Sequence, residues 1–196
     1  MPEHEFFLNY LKENIDDKRL SHSIGTANEA VKLAHIYGAD EKKAYTAGLL
    51  HDVAKGRCKY GFSKLAAEYG IEIDEIESKN IELIHGRLGA AMIEKQLGIH
   101  DEEILAAVRW HTTGRMGMSL LEKIIYLADL IEPGRHFKGI DAIRDLAYRN
   151  IDEAMREALK QVMGFVQSEG FALHPNSIEA YNDYKKEEEN ESDASI

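Results

Sequence analysis

Proline occurs at only three positions, Pro2, Pro133 and Pro175. A proline inside a helix removes a backbone hydrogen bond and clashes with the preceding turn. The long proline-free stretches between these three leave helices free to form. Within them apolar residues recur at spacings of three and four, the pattern of one buried helical face. Phe6, Phe7, Tyr10 and Leu11 mark a first short helix, and Ile24, Ala27, Val31 and Ala34 a second that closes at Gly38. Asp40 caps a third, expected to run through Tyr45, Leu49 and Val53 and to stop near Gly56. Further helices follow from Ser63 to Tyr69, from Leu83 to Leu97, and from a cap at Asp101 to Trp110. Ser119, with Glu122 three residues on, has the spacing of a capping box and opens the most apolar run. Helices from Ile140 to Tyr148, from Ile151 to Gln167 and after Ser177 complete the series. No alternating strand, repeat or low-complexity linker interrupts it. The pattern predicts an all-α bundle of about nine or ten helices, a single domain over residues 1–185.

The chain is 44% hydrophobic over 196 residues, enough for a core, yet no apolar stretch approaches the ~20 residues of a membrane span. The acidic start and the single cysteine, Cys58, fit a reducing cytoplasm and no secretion signal. With 24 Lys plus Arg against 35 Asp plus Glu, the formal charge is −11, which repels polymeric nucleic acid. Residues 186–196 form an acidic tail without an apolar face, expected to be solvated and disordered. Basic residues nevertheless sit beside histidines: Arg19 near His22, Lys55 near His51, Arg115 near His111 and Arg135 beside His136. Any one of these is ordinary surface charge; together they outline an anion site. The first helix is expected to cover the core, with a homodimer interface as the alternative.

Two segments place polar residues where apolar ones belong. His51 and Asp52 adjoin within Ala47–Ala54, and Asp129 stands alone in Ile124–Ile131, on the face of Ile125. A buried charge is costly unless it is paired or binds a metal. A salt bridge or a helix cap explains one such carboxylate. Two of them plus an imidazole make a metal centre a competing explanation. His22 stands near the start of its helix, His85 opens another and His111 closes a third, so these ligands can converge. Imidazole and carboxylate without thiolate suit Fe, Mn, Co or Zn, and argue against a structural zinc. His4, His35 and His100 read as surface residues.

The ordered set His22, His51-Asp52 and Asp129 resembles the HD-domain metal-dependent phosphohydrolases. Residues 47–55, His111-Thr112-Thr113-Gly114-Arg115 and residues 128–135 resemble more narrowly the bacterial YqeK family of symmetrical diadenosine tetraphosphate hydrolases, which release ADP. The resemblance implies one or two transition-metal ions, iron first and manganese or cobalt as alternatives, held by His22, His51, Asp52 and Asp129. It implies a nucleotide contacted by Arg19, His22, Lys55, His85, His111, Thr112, Arg115 and Arg135, and by the late stretch with Phe171, Leu173, His174 and Pro175. Asp52 would orient the attacking water; His85 or His111 would protonate the leaving phosphate or hold a second ion. Competing expectations are another HD-type nucleotidase acting on a dNTP, ppGpp or a nucleoside monophosphate, a non-catalytic nucleotide-binding module, and an iron oxygenase on the same scaffold.

Overall fold

Aspartate, serine and asparagine side chains start most of the helices. Asp16, Asp40, Asp101 and Asn150 each accept hydrogen bonds from backbone N–H groups of the first turn, and Asp74–Glu77 and Ser119–Glu122 form full capping boxes. Gly38, Gly70 and Gly98 end helices in the left-handed region. The computed structural model describes residues 2–55 and 61–193, and over these it is helical without strands. The order is α1 Pro2–Asn14, α2 Asp17–Tyr37, α3 Glu41–Leu50, α4 Phe62–Tyr69, α5 Glu75–Lys79, a 3-10 helix Ile81–Ile84, α6 His85–Leu97, α7 Glu102–Trp110, α8 Leu120–Ile131, α9 Ile140–Ala147, α10 Ile151–Ser168 and α11 Pro175–Asp193. Cys58 and Gly56 lie outside the described residues.

The chain is all-α, as its periodicity predicts, and the described residues hold one α-helix more than expected. The addition is α5, whose five residues are too few to show a period and which is held by its capping box. The other difference is at α3, which stops at Leu50 instead of continuing towards Gly56. His51 turns its ring back onto the Gly48 carbonyl at 2.7 Å, and Lys55 N–H bonds the Asp52 carbonyl in a tighter turn. His51 and Asp52 therefore stand at the helix end, with His51 Nε2 3.7 Å from Asp52 Oδ1, instead of sitting along its side.

The core is built around α8, where Ile124, Ile125, Leu127 and Ala128 are fully buried. Helices α2, α3, α7 and α10 pack around it. Each sealed leucine or isoleucine contributes roughly 1.5–3 kcal/mol of apolar transfer. Phe7 and Leu11 fasten α1 to this core, while Phe6 faces out. A smaller apolar cluster joins α4 and α6 through Phe62, Leu65, Leu88 and Met92. Two glycines set how closely the site-bearing helices approach. A Cβ on Gly48 would lie 2.9 Å from Ala27 Cα, so α3 presses directly on the α2 backbone. A Cβ on Gly86 would lie 2.7 Å from the Arg109 carbonyl, so α6 presses on the end of α7. No described helix is long and apolar enough to cross a membrane.

Candidate metal centre

Those two close approaches bring four imidazoles to one buried carboxylate. His51 from the end of α3, His85 from the start of α6 and His111 from the end of α7 are all buried around Asp52, which is 1% exposed. Asp52 Oδ1 lies 3.3 Å from His85 Nε2 and 3.7 Å from both His51 Nε2 and His111 Nε2. On the other side His22 Nε2 of α2 lies 2.9 Å from Asp129 Oδ1 of α8 and 3.2 Å from His51 Nε2. His51 Nε2 is 3.7 Å from Asp129 Oδ1. Asp129 is half-buried, its side chain 20% exposed, so it forms the rim of the centre and not a sealed charge.

The tautomers follow from the partners of the other ring nitrogens. His51 Nδ1 faces the Gly48 carbonyl and His111 Nδ1 the Val108 carbonyl, each at 2.7 Å. His85 Nδ1 faces the Glu82 carbonyl. A carbonyl only accepts, so each Nδ1 carries a proton, and the tautomer this selects presents the Nε2 lone pair inward. In that tautomer His85 Nε2 and His111 Nε2 face each other at 2.9 Å. Asp52 Oδ1 is buried and receives no directed hydrogen bond, although Lys55 Nζ stands 3.1 Å away. A cluster of inward-facing acceptors needs a cation. Two donors each about 2.1 Å from one ion are separated by roughly 3.0–3.4 Å at octahedral to tetrahedral angles, close to the separations found. Two such donor groups adjoin at this centre, His22–His51–Asp129 and His51–Asp52–His111, and they share His51. The donor set therefore fits a metal, as one ion or an adjoining pair.

Electrostatics agree. Burial works to raise the Asp52 carboxyl, but the surrounding His51, His111 and His85 imidazoles hold it well below the carboxylate range. Asp129 is likewise held low against burial, by His22, His51 and Arg135. Burial pushes His51 down to about 4, despite Asp52 and Asp129. It also lowers His85. For His22 burial is outweighed by the hydrogen bond and charge of Asp129, and the group is raised. Cations border the carboxylates: Arg19 Nη1 is 2.8 Å from Asp52 Oδ2, and Arg135 Nη2 is 2.5 Å from Asp129 Oδ1.

A cavity of about 150 Å³ opens beside the centre, lined by Lys55, His85, His111, Thr112, Tyr126, Asp129, Leu130 and Val162. Since a water occupies roughly 30 Å³ of liquid, this admits a phosphoryl group but not a whole dinucleotide, whose remainder must lie along the open rim. Thr112 Oγ1 lies 3.2 Å from His85 Nε2. Arg115 forms a two-pronged pair with Glu122, at 2.7 and 2.8 Å, at the start of α8, and no described contact joins it to the centre. In the late stretch Phe171 and Pro175 are exposed and Leu173 partly buried. His174 Nε2 pairs with Asp74 at 3.1 Å in a separate cavity of about 230 Å³ with Arg87, Arg109 and Trp110. Sequence reasoning passed over Tyr126 and Glu132. Glu132 stood in the quoted 128–135 segment, but nothing in its spacing shows that it reaches His22.

The HD domain family matches residues 19–134. The symmetrical bis(5'-nucleosyl)-tetraphosphatase of Bacillus subtilis (strain 168) is 38% identical over 172 residues, 88% of this chain and 92% of that protein. The protein of the same description from Staphylococcus aureus (strain NCTC 8325 / PS 47) is 38% identical over 184 residues, 91% of this chain and 92% of its own length. Among solved structures, an HD superfamily hydrolase from Clostridium acetobutylicum, described as involved in NAD metabolism, superposes with a TM-score of 0.89 at 41% identity, covering 94% of this chain and 97% of that one.

Proposed function

The chain belongs to the HD-domain family, and from that membership we propose that it is a symmetrical bis(5'-nucleosyl)-tetraphosphatase, cleaving diadenosine tetraphosphate with water into two ADP. The observation that carries this reading is Asp52 Oδ1 with three imidazole Nε2 atoms within 3.7 Å, flanked by Arg19, Lys55 and Arg135. The similarity to tetraphosphatases over most of the chain supports the substrate class.

The family implies a divalent metal, and His22, His51, Asp52 and Asp129 would hold it, with His111 beside them. Iron is the proposed ion, with manganese or cobalt as substitutes, because the set is imidazole and carboxylate. Bound there, the metal supplies a hydroxide nucleophile near neutral pH and neutralises phosphate charge. Asp52 orients the attacking water through the oxygen that receives no directed hydrogen bond. The inward lone pairs of His85 and His111 accept a hydrogen bond from that water or take a second ion. Water attacks the phosphorus second from one nucleoside, the bond to the bridging oxygen breaks, and ADP departs. The leaving group ends in a phosphate, and phosphomonoesters have a second pKa of about 6. Departure therefore needs charge neutralisation more than a proton, and Lys55 and Arg135 supply it. Thr112 offers a hydroxyl to a phosphate oxygen at the cavity wall. The net charge of −11 makes a small nucleotide, not a nucleic-acid polymer, the proposed partner, and the single cysteine keeps a reducing cytoplasm the proposed location.

Incubating the protein with diadenosine tetraphosphate and Fe²⁺, Mn²⁺ or Co²⁺, and resolving the products by chromatography, tests the reading. ADP alone, lost on chelation, is expected. AMP with ATP overturns the symmetric cleavage, and no product with any metal overturns the substrate.

A further inference from the structure

Three of the four imidazoles are oriented in the same way, and the fourth is not. His51, His85 and His111 each stand at the C-terminal cap of a helix or 3-10 turn and bond the carbonyl three residues back. The last carbonyls of a helix have no intrahelical partner, so a ring at the end can take one. His22 has no such option. It lies in the second turn of α2, where carbonyls are engaged by the helix itself. Its Nδ1 instead faces the Oε1 of Glu132 at 3.1 Å, from the C-terminal cap of α8.

We infer that Glu132 is the positioning residue for His22: its carboxylate holds the Nδ1 proton and turns Nε2 towards Asp129 and His51, an inference that rests on the metal reading of this centre. Glu132 is itself fixed. It is 5% exposed and accepts Gly134 N–H at 2.6 Å. Arg144 binds the carbonyls of Ile131, Glu132 and Arg135 at 3.0, 3.1 and 2.9 Å, clamping the turn that carries it. The carboxylate lies in a cradle that side chains would fill. A Cβ on Gly25 would come 2.7 Å from Oε2, and one on Gly134 would come 2.8 Å from Oε1. Both glycines are thus accounted for by Glu132 and not by backbone conformation, since neither has a positive φ. A carboxylate behind a metal-bound imidazole sets its tautomer and raises its basicity, and removing such a partner commonly weakens metal binding about 10–100-fold.

The test uses Co²⁺ alone, by chelator competition and by the metal-induced shift in Tm, on wild type, Glu132→Ala, Glu132→Gln and Gly25→Ala. Glu132→Ala is expected to bind Co²⁺ about 10–100-fold more weakly, with the metal-induced shift shrinking to match. Glu132→Gln keeps an acceptor oxygen and is expected to recover most of the affinity. Gly25→Ala leaves Glu132 in place but displaces its carboxylate, in a helix that alanine suits better than glycine. It is expected to weaken Co²⁺ in the same direction, and it decides the matter if Glu132→Ala fails to fold. Equal Co²⁺ affinity in wild type, Glu132→Ala and Gly25→Ala overturns the inference alone. So does a lower metal-free Tm with the metal-induced shift intact, which is what a merely structural role gives. A wild type that binds no Co²⁺ overturns both the inference and the metal reading.

Discussion

Asp52 and Asp129 are both held ionised against burial, and each is paired with a cation: Arg19 for the first, Arg135 for the second. Asp52 Oδ1 and Asp129 Oδ1 also face imidazole Nε2 atoms. The two kinds of neighbour predict different mutant phenotypes. Asp52→Ala and Asp129→Ala are expected to lose bound metal and turnover together, with kcat down by roughly 10²–10³ or more, read by metal analysis beside product chromatography. An active, metal-free Asp129→Ala protein would end the metal reading. Arg135 touches Asp129 from a partly exposed position. Arg135→Ala is expected to keep its metal and to lose about 10–100-fold in kcat/KM, the size of one hydrogen bond to a charged group. At this scale the sequence was informative about identities. His22, His51, Asp52 and Asp129 were singled out because they sit among apolar neighbours or in an order that resembles a family. It was silent about Glu132, because a glutamate at a helix end is ordinary until its partner, 110 positions away, is known.

At the level of the helices, the site depends on how α3 ends and on how closely helices cross. The periodicity of Tyr45, Leu49 and Val53 argued for a longer α3. It ends at Leu50 because His51 takes a carbonyl for its ring, a side-chain choice that an apolar pattern does not register. The α2–α3 crossing has little tolerance. In Gly48→Ala the new methyl meets the Ala27 backbone at 2.9 Å, and backbone cannot step aside as a side-chain end can. This variant is expected to lose about 1–3 kcal/mol of stability by urea unfolding, in line with overpacking elsewhere. Because α2 carries His22 and α3 ends on His51, its Co²⁺ affinity should fall as well. Unchanged stability and affinity would mean that the two helices can separate without disturbing the centre.

For the molecule as a whole, the buried imidazoles make stability depend on pH. Burial holds His51 near 4 and lowers His85, while both titrate near 6.5 when unfolded. Between those values the unfolded chain binds more protons, so stability present above about pH 6.5 is lost as the pH falls towards 4. His22, raised in the folded state, acts in the opposite sense and is outnumbered. Asp52 and Asp129, held low, add a further loss below their unfolded values, near 3.8. The metal-free protein is therefore expected to show a urea midpoint that drops between pH 7.5 and 5, by a change in stability on the order of a few kcal/mol. A midpoint that is flat or rises over that interval would contradict the burial of neutral His51.

Much of this was available before any coordinates. Helical period, caps such as Asp40 and Ser119, and glycine stops such as Gly38 are local, and local rules act within one or two turns of chain. They determined the all-α architecture and most helix boundaries. The out-of-place polar residues and their order pointed to the metal centre. What only the tertiary structure decided is which atoms meet. The inward lone pairs depend on carbonyls at helix ends, the His22 ring on a glutamate from another helix, and the fork of Arg115 on Glu122 instead of on the centre. These are contacts between segments distant in sequence, or choices among competing local hydrogen bonds. Periodicity carries no signal for either, because the energy that selects them arises only once the helices are packed.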